Sequence, residues 1–355
     1  MTDLVQRSLE IIRQFQQPSG AYPACPTMPD YQFCWFRDGS FIAHAMCLHK
    51  QMDSALAFHE WSAQTVLRYA DGAKRAMVDF QNGKAPDSHD VLRARYTYDG
   101  GKGPDDWPEF QLDGLGTWLW ALKAFQDRGQ LLSPAIRQAA GLVADYLQVL
   151  WPSPCHDLWE EHGDQVHTYT LAAIYSGLAA AAELLGRPEF NQTAHQIDLF
   201  IRAHCTVAGH GFIKSVGVDL IDGSLPALAV PYNLISLTDP IMQATIKRVE
   251  ADIYATGVGV HRYRGDSYYG GGAWLLLAGW LGWYYVQNGE LTKARSMLND
   301  ISRFATANGE LPEQIVPPMF AQQSDYDYWV KVRGPIATPL LWSHAMCLIL
   351  HHACQ

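Results

Sequence analysis

The sequence predicts an all-α fold, an (α/α)6 toroid in which six helical hairpins form a closed ring. Apolar residues recur at helical spacing along nearly the whole chain, beginning with Leu4, Leu9 and Ile12, whereas strand-like alternation is rare. Short and long connections alternate between the helices, so the long ones would all emerge at one end of the ring. An irregular all-α domain is the alternative that this pattern leaves open.

The predicted helices are the segments in which this periodicity is strongest. After the N-terminal helix they cover residues 40–51, 54–69, 112–127, 133–150, 166–185, 188–204, 239–251, 272–287, 291–306 and 338–352. Ser133 precedes Pro134 at one predicted start, and Asp239 precedes a proline at another. Such pairs indicate helix starts, because the polar side chain can accept from a free backbone N–H and proline is tolerated in the first turn.

The long connections are rich in Trp, Tyr, Gly, Pro and acidic residues. They cover residues 17–38, 73–111, 151–167, 207–233, 256–271 and 308–336. No low-complexity break, charge run or linker divides the 355 residues, so a single domain over 1–355 is predicted. Loops 73–111 and 207–233 are long enough to cap a common pocket, which the sequence alone does not decide.

Composition excludes several kinds of partner. With 48% hydrophobic and 17% charged residues the chain can bury a large core. A net charge of -10 without a basic stripe argues against nucleic acid. The N-terminus lacks a secretory pattern, and the apolar run 273–286 is shorter than the ~20 residues of a membrane span, so a cytoplasmic protein without a membrane partner is expected. Seven scattered cysteines without CxxC indicate reduced thiols and no metal site.

Aromatic and acidic side chains occur together in the long loops. The main runs are Trp35-Phe36-Arg37-Asp38, Asp105-Asp106-Trp107, Trp159-Glu160-Glu161, Tyr268-Tyr269 followed by Trp274, and Asp325-Tyr326-Asp327-Tyr328-Trp329. Sugar rings present flat apolar faces to aromatic rings and hydroxyl edges to carboxylates and arginine. A small oligosaccharide is therefore the predicted ligand.

Two glutamates are candidates for acid and base catalysis. Glu160 lies between an aromatic residue and a second acid, Glu161, and both desolvation and repulsion raise a carboxyl pKa, as a general acid requires. Helix capping by these two acids is the alternative. Glu313 follows Pro312 in a turn and would serve as a rigid, ionised base, with a solvated loop acid as the alternative. Inverting glycosidases hold two such carboxyls ~6.5–9.5 Å apart to admit a water.

Five motifs follow one another along most of the chain, from about Gly20 to Ala345. They are Pro29-Asp30-Tyr31 through Trp35-Phe36-Arg37-Asp38, Trp107-Pro108-Glu109-Phe110-Gln111-Leu112-Asp113-Gly114, Leu158-Trp159-Glu160-Glu161, Leu311-Pro312-Glu313-Gln314 and Leu341-Trp342-Ser343-His344-Ala345. Each motif is weak by itself, but their order resembles that of the glucoamylase family, glycoside hydrolase family 15, in its prokaryotic form. The chain begins almost directly with the first barrel helix, so it resembles the catalytic barrel alone.

The resemblance implies an (α/α)6 barrel that hydrolyses a terminal α-glucosidic bond with inversion and releases β-D-glucose from the non-reducing end. It implies Glu160 as general acid, Glu313 as base and Glu161 as a sugar-binding residue. The other substrate contacts that we expect are Trp35, Arg37, Asp38, Trp107, Trp159, Arg262 and Trp274. A short α-1,4- or α-1,6-linked gluco-oligosaccharide is the expected substrate, without any cofactor.

Three other functions stay open at this point. A trehalase-type member of the same family would share the motifs. A sugar isomerase or epimerase on the same toroid would use paired histidines from among His162, His167, His261 and His344. A non-catalytic carbohydrate-binding protein would keep the pocket without turnover. The oligomeric state is not readable from the sequence.

Overall fold

Helices make up most of the chain in the computed structural model, which describes residues 2–316 and 322–355. The helices are α1 (Thr2–Phe15), α2 (Phe36–Leu48), α3 (Met52–Arg68), α4 (Ala70–Gln81), α5 (Asp113–Gln126), α6 (Pro134–Leu150), α7 (Thr168–Leu185), α8 (Glu189–His204), α9 (Pro240–Arg248), α10 (Leu275–Gln287), α11 (Leu291–Arg303), α12 (Gln323–Arg333) and α13 (Leu341–Ala353). Residues 317–321 of the predicted loop 308–336 lie outside the described residues.

Six elements form the inner ring of a barrel. In ring order they are α2, α5, α7, the 3-10 turn Leu225–Leu228, α10 and α13, and α13 packs back onto α2. Helices α1, α3, α6, α8, α9 and α11 pack around this ring. The predicted (α/α)6 toroid is therefore confirmed, with a single 3-10 turn in the fourth inner position. The single-domain organisation stays a prediction.

The inner helices are buried over most of their surface because neighbouring inner helices and the outer helices cover them. Among the described helices, α7 is long and apolar enough to cross a membrane by composition, yet 78% of that span is buried inside the barrel. Such a helix is typical of a core. Helices α5 and α7 approach closely where Gly116 faces Gly177. A Cβ at Gly177 would lie 2.6 Å from the Gly116 carbonyl oxygen, so only glycine allows this contact.

Two helices lie where the sequence predicted loops. Helix α4 occupies the start of loop 73–111 and buries only Ala73 and Ala76. Helix α12 occupies much of loop 308–336 and has no buried residue. Both helices carry only a short apolar stripe, which the sequence prediction overlooked among polar residues: Ala73, Ala76, Met77 and Phe80 in α4, and Tyr326, Trp329 and Val330 in α12. The two predicted caps are confirmed: Ser133 accepts from the Ile136 N–H at 3.2 Å, and Asp239 accepts from the Ile241 N–H at 2.8 Å.

Very short antiparallel strands connect the loops at one end of the barrel. They are β1 (Cys34–Trp35), β2 (Arg95–Tyr96), β3 (Thr206–Val207), β4 (Gly211–Phe212), β5 (Tyr254–Ala255), β6 (Gly259–His261), β7 (Ala273–Trp274) and β8 (Gln314–Ile315). Strand β1 pairs with β2, β3 pairs with β4, and the last four form one sheet in chain order. All seven cysteines are free and buried, as expected.

Buried histidines make the stability of this fold sensitive to acid. Burial lowers the pKa of three of them to about 3, namely His44, His59 and His344. Because the unfolded chain binds these protons near pH 6.5, unfolding takes up protons below that pH, and stability falls as the pH drops toward 3. Each histidine contributes a loss of about 2 kcal/mol between pH 6.5 and pH 5.

We predict that His59→Phe flattens this dependence, since phenylalanine fits the aromatic surroundings of Phe58 and Phe125 without titrating. Between pH 7 and pH 5 its free energy of unfolding should fall by about 2 kcal/mol less than that of the wild type, measured by urea unfolding. Buried carboxyls titrate in the opposite sense, but they are common to both proteins and cancel. Replacement of the exposed His89 by Gln is the control. Equal pH dependence of wild type and His59→Phe would contradict this prediction.

Candidate active site

A cavity of about 260 Å³ opens where the inner helices begin. All ten residues predicted for the site line this cavity: Trp35, Arg37, Asp38, Trp107, Trp159, Glu160, Glu161, Arg262, Trp274 and Glu313. Trp35 and Trp274 stand directly before α2 and α10. Arg37 and Asp38, which the sequence placed at the end of a loop, lie in the first turn of α2. The volume is near the lower end of the roughly 300–1,000 Å³ of small-molecule sites, which favours a short ligand. The roles of the ten residues stay predictions.

The loop that carries Glu160 is held by Trp35 of β1 and by its own Asp157. The Trp35 indole N–H donates to Glu160 Oε1 at 2.7 Å. Asp157 Oδ1 accepts from the backbone N–H groups of Trp159 and Glu161, both at 2.9 Å. Glu160 itself has a φ of 69°, a left-handed conformation that costs free energy in a non-glycine residue. Helix α7 begins eight residues later with His167 as its N-cap, so the helix-capping alternative is wrong.

A buried ion cluster lies behind this loop. Lys214 Nζ donates to Asp157 Oδ2 at 2.7 Å and to Asp222 Oδ2 at 2.8 Å. Asp222 also accepts from the Trp159 indole N–H at 2.9 Å. Burial alone would raise the pKa of Asp157, but the charge of Lys214 outweighs it and the pKa lies below its ordinary value. Sequence reasoning missed Lys214 and Asp222, because no motif marks either residue in loop 207–233.

Glu161 is bound by two donors of the opposite wall. Tyr263 donates its hydroxyl to Glu161 Oε2 at 2.5 Å, and Arg262 Nη2 donates to Glu161 Oε1 at 3.3 Å. Arg262 also forms a buried bidentate pair with Asp266, which the sequence did not single out. Glu161 is thus a fixed, charge-paired residue of the pocket wall, which suits binding rather than proton transfer.

Glu313 lies between the small sheet and the core. It directly precedes β8, whose Gln314 pairs with Trp274 of β7, and its backbone N–H donates to the Ala337 carbonyl at 2.9 Å. Its side chain is 1% exposed, so the alternative of a solvated loop acid is wrong. Its Oε2 is buried and accepts no hydrogen bond within the described residues.

The charge state of Glu313 differs from the expectation. Burial raises its pKa to about 8, while the Tyr31 hydroxyl and the Arg262 guanidinium act in the opposite direction. Burial therefore favours the protonated form of Glu313 in the free protein, whereas the sequence predicted an ionised base. The sequence could not show this, because the flanking Gly309 and Pro312 suggest an exposed turn.

Arg37 and Asp38 line the cavity and form a buried ion pair, with Arg37 Nε 3.6 Å from Asp38 Oδ2. Arg37 Nη1 donates to Gln111 Oε1 at 2.9 Å and to Asp113 Oδ2 at 3.1 Å, which connects the starts of α2 and α5. At that distance Arg37 Nε and Asp38 Oδ2 attract each other electrostatically, but neither atom makes a hydrogen bond in the described part of the chain. Burial raises the pKa of Asp38 to about 7, and Arg37 partly offsets this. Sugar hydroxyls are the kind of group that would satisfy both atoms.

Aromatic rings cover the sides of the cavity. The Trp35 and Trp107 rings meet edge to face with centroids 6.0 Å apart, and those of Trp159 and Trp274 are 5.3 Å apart. Arg95, opposite Trp35 in the β1–β2 ladder, places its guanidinium carbon 4.0 Å from the Trp107 centroid. Sequence reasoning missed Arg95, since its stacking depends on a strand pair of only two residues.

The loops contribute unequally to the cavity. Loop 73–111 lines it through Asp106, Trp107 and Pro108, whereas no residue of loop 207–233 is part of the described lining. Arg333 of α12 lines the cavity too and was not anticipated. The histidines that an isomerase would need, His162, His167, His261 and His344, do not line it.

Two glutamates in an aromatic-walled cavity of a six-hairpin barrel define a carbohydrate-cleaving enzyme. The family model of glycosyl hydrolases family 15 matches residues 1–351. The chain belongs to this family.

Two relatives and one solved structure refine the comparison. The isomaltose glucohydrolase of Kribbella flavida is 38% identical, over 98% of this chain and 91% of its own length. A trehalase of Thermoplasma volcanium is 23% identical, and the match covers 85% of this chain but 52% of the trehalase. The structure of a glycosidase variant in complex with glucose is 36% identical, with a TM-score of 0.94 over 99% of this chain and 96% of the other.

Proposed function

We propose that this glycoside hydrolase removes glucose from the non-reducing end of a short α-1,6-linked glucoside of the isomaltose type, with inversion. The observation that carries the proposal is the pair Glu160 and Glu313, which reach one small cavity from two separate loops. The similarity to an isomaltose glucohydrolase over almost the entire length of both proteins supports the linkage.

Glu160 acts as the general acid in this proposal. Its Oε1 is engaged by the Trp35 N–H, and within the described residues no hydrogen bond is directed at Oε2, which leaves that oxygen for the glycosidic oxygen. Glu160 gives its proton to the departing sugar as the bond from the anomeric carbon to that oxygen breaks. The fixed orientation of the carboxyl reduces the entropy lost in reaching this geometry.

Glu313 acts as the base on the other face of the sugar. Its unpaired Oε2 takes a proton from a water whose oxygen bonds to the anomeric carbon, so an α-glucoside gives β-glucose. Glu160 ends ionised and Glu313 protonated, and solvent restores both. The two carboxyls and the water complete the reaction without a cofactor.

The same site favours the hydrolase over the alternatives. The trehalase relative is less similar and shares only about half of its length with this chain. An isomerase finds no histidine pair in the described cavity lining. We also propose a reducing, cytoplasmic location, which the seven free, buried thiols support.

A panel of glucose disaccharides tests the substrate. We expect the highest kcat/KM for isomaltose among maltose, isomaltose, trehalose, kojibiose and nigerose, and β-glucose as the first product in proton NMR. The highest kcat/KM on trehalose would contradict the proposed substrate and would indicate a trehalase. Initial α-glucose would contradict inversion, and sugar binding without turnover of any disaccharide would indicate a binding protein.

Two glutamine variants should separate the acid from the base. Glu160→Gln and Glu313→Gln should each lose about 10²–10⁴-fold in kcat on isomaltose, the usual contribution of a positioned acid or base. On α-D-glucosyl fluoride, whose leaving group needs no proton, Glu160→Gln should keep most of its turnover while Glu313→Gln stays inactive. Glu310→Gln, three residues before the base and outside the cavity lining, is the matched control. Equal loss by both variants on the fluoride would exclude these roles.

The pH dependence of Glu160→Gln on α-D-glucosyl fluoride should show the titration of the base without that of the acid. Because Glu313 must be ionised and burial raises its pKa to about 8, kcat/KM should fall as the pH drops below 8. The fall of kcat/KM toward low pH is expected to be steeper than for one titrating group, since Asp38, with a pKa of about 7, faces the same cavity. A midpoint at pH 4–5, the ordinary range of glutamate at about 4.3, would contradict the raised pKa.

A further inference from the structure

Arg333, the last residue of α12, lines the cavity with a side chain that is partly exposed to solvent. Its Nη1 is 3.2 Å from Oδ2 of Asp30, and its guanidinium carbon is 4.9 Å from the ring centroid of Trp107 and 5.5 Å from that of Trp329. Trp107, Trp329 and Arg333 all line the cavity. The Arg333–Asp30 pair therefore joins the segment before α2 to α12 beside the ring of Trp107.

Both partners of this pair are anchored to fixed parts of the wall. Asp30 belongs to the 3-10 turn Pro29–Tyr31, and its carbonyl oxygen accepts from Arg95 Nη1 at 3.4 Å. Arg95 is almost fully buried. On the other side, Trp329 packs edge to face on Tyr268, with centroids 4.9 Å apart, which positions α12 against the wall. The turn that carries Asp30 and the helix that carries Arg333 are thus fixed, although the two charged side chains are partly exposed to solvent.

We propose that the Arg333–Asp30 pair limits the substrate to two sugar units. This inference rests on the proposed function and on a terminal glucose placed at the buried part of the lining, beside Asp38 and Glu313. The leaving sugar then lies toward Trp107, a lining residue whose ring contacts the guanidinium of Arg333. A third sugar attached to it has to pass the Arg333–Asp30 pair.

The energetics of the pair suit such a limit. The side chains of Arg333 and Asp30 are 24% and 48% exposed, so their ion pair is weak and opens readily for substrate to enter. When the pair closes over a disaccharide, Arg333 regains its cation–π contacts with Trp107 and Trp329. A bound trisaccharide keeps the Arg333–Asp30 pair open throughout the reaction, so its complex lacks the cation–π contacts of Arg333.

Relative activity on isomaltose, isomaltotriose and isomaltotetraose tests the inference. In Arg333→Ala the ratio of kcat/KM for isomaltotriose to that for isomaltose should rise about three- to tenfold, with a similar rise for isomaltotetraose. Asp30→Asn removes the ion pair but keeps the guanidinium, so it should give a smaller rise in the same direction. Arg303→Ala breaks a comparable pair with Asp300 at the end of α11, away from the cavity, and should leave the ratio unchanged.

The outcomes distinguish this inference from the function on which it rests. If the wild type hydrolyses isomaltose but Arg333→Ala and Asp30→Asn leave the isomaltotriose-to-isomaltose ratio of kcat/KM unchanged, the length limit alone would be overturned. An equal loss on all three sugars in Arg333→Ala, with Asp30→Asn like the wild type, would show that Arg333 grips the leaving sugar instead. Absence of wild-type turnover on any α-glucoside would overturn the proposed function and the length limit together.

Discussion

The pocket depends on a lysine buried between two aspartates. Lys214 joins Asp157, which orders the backbone on both sides of Glu160, to Asp222, which holds the Trp159 indole. A buried charge that loses its partner costs about 3–5 kcal/mol, so the three groups form or fail together. Lys214 and Asp222 belong to loop 207–233, which is not part of the described cavity lining. This loop therefore holds loop 151–167, which carries Glu160, in a conformation that loop 151–167 would not adopt alone.

That support explains how Glu160 can occupy a strained backbone conformation. A φ of 69° is unfavourable for a residue with a Cβ, and such strain persists where neighbouring contacts over-determine the chain. Here the two N–H groups bound by Asp157 fix the turn, and the indole of Trp35 fixes the side chain. Glu313 is held by different means, a backbone bond to Ala337 beside a short sheet. The two carboxyls are therefore rigid independently of each other.

The sequence predicted most of the barrel because its helices carry an apolar face or are apolar throughout. It missed α4 and α12, whose apolar stripes are short and lie among many polar residues, so these segments resembled loops. All ten site residues reach one cavity, since ordered aromatic and acidic motifs mark the loops before the inner helices. Lys214, Arg95 and Arg333 were out of reach, because their roles depend on partners that only the folded chain brings close.

The raised pKa of Glu313 was not expected from the sequence, and the reason is general. A motif specifies a carboxyl but not its exposure, and complete burial is the largest cause of the raised pKa. A raised pKa still suits a base whose substrate becomes positively charged. The oxocarbenium-like transition state places positive charge in the cavity, which stabilises the ionised carboxylate when the water is activated. A more basic carboxylate also accepts the proton of that water more favourably. Burial thus reduces the fraction of ionised enzyme at low pH and strengthens the base in the fraction that reacts.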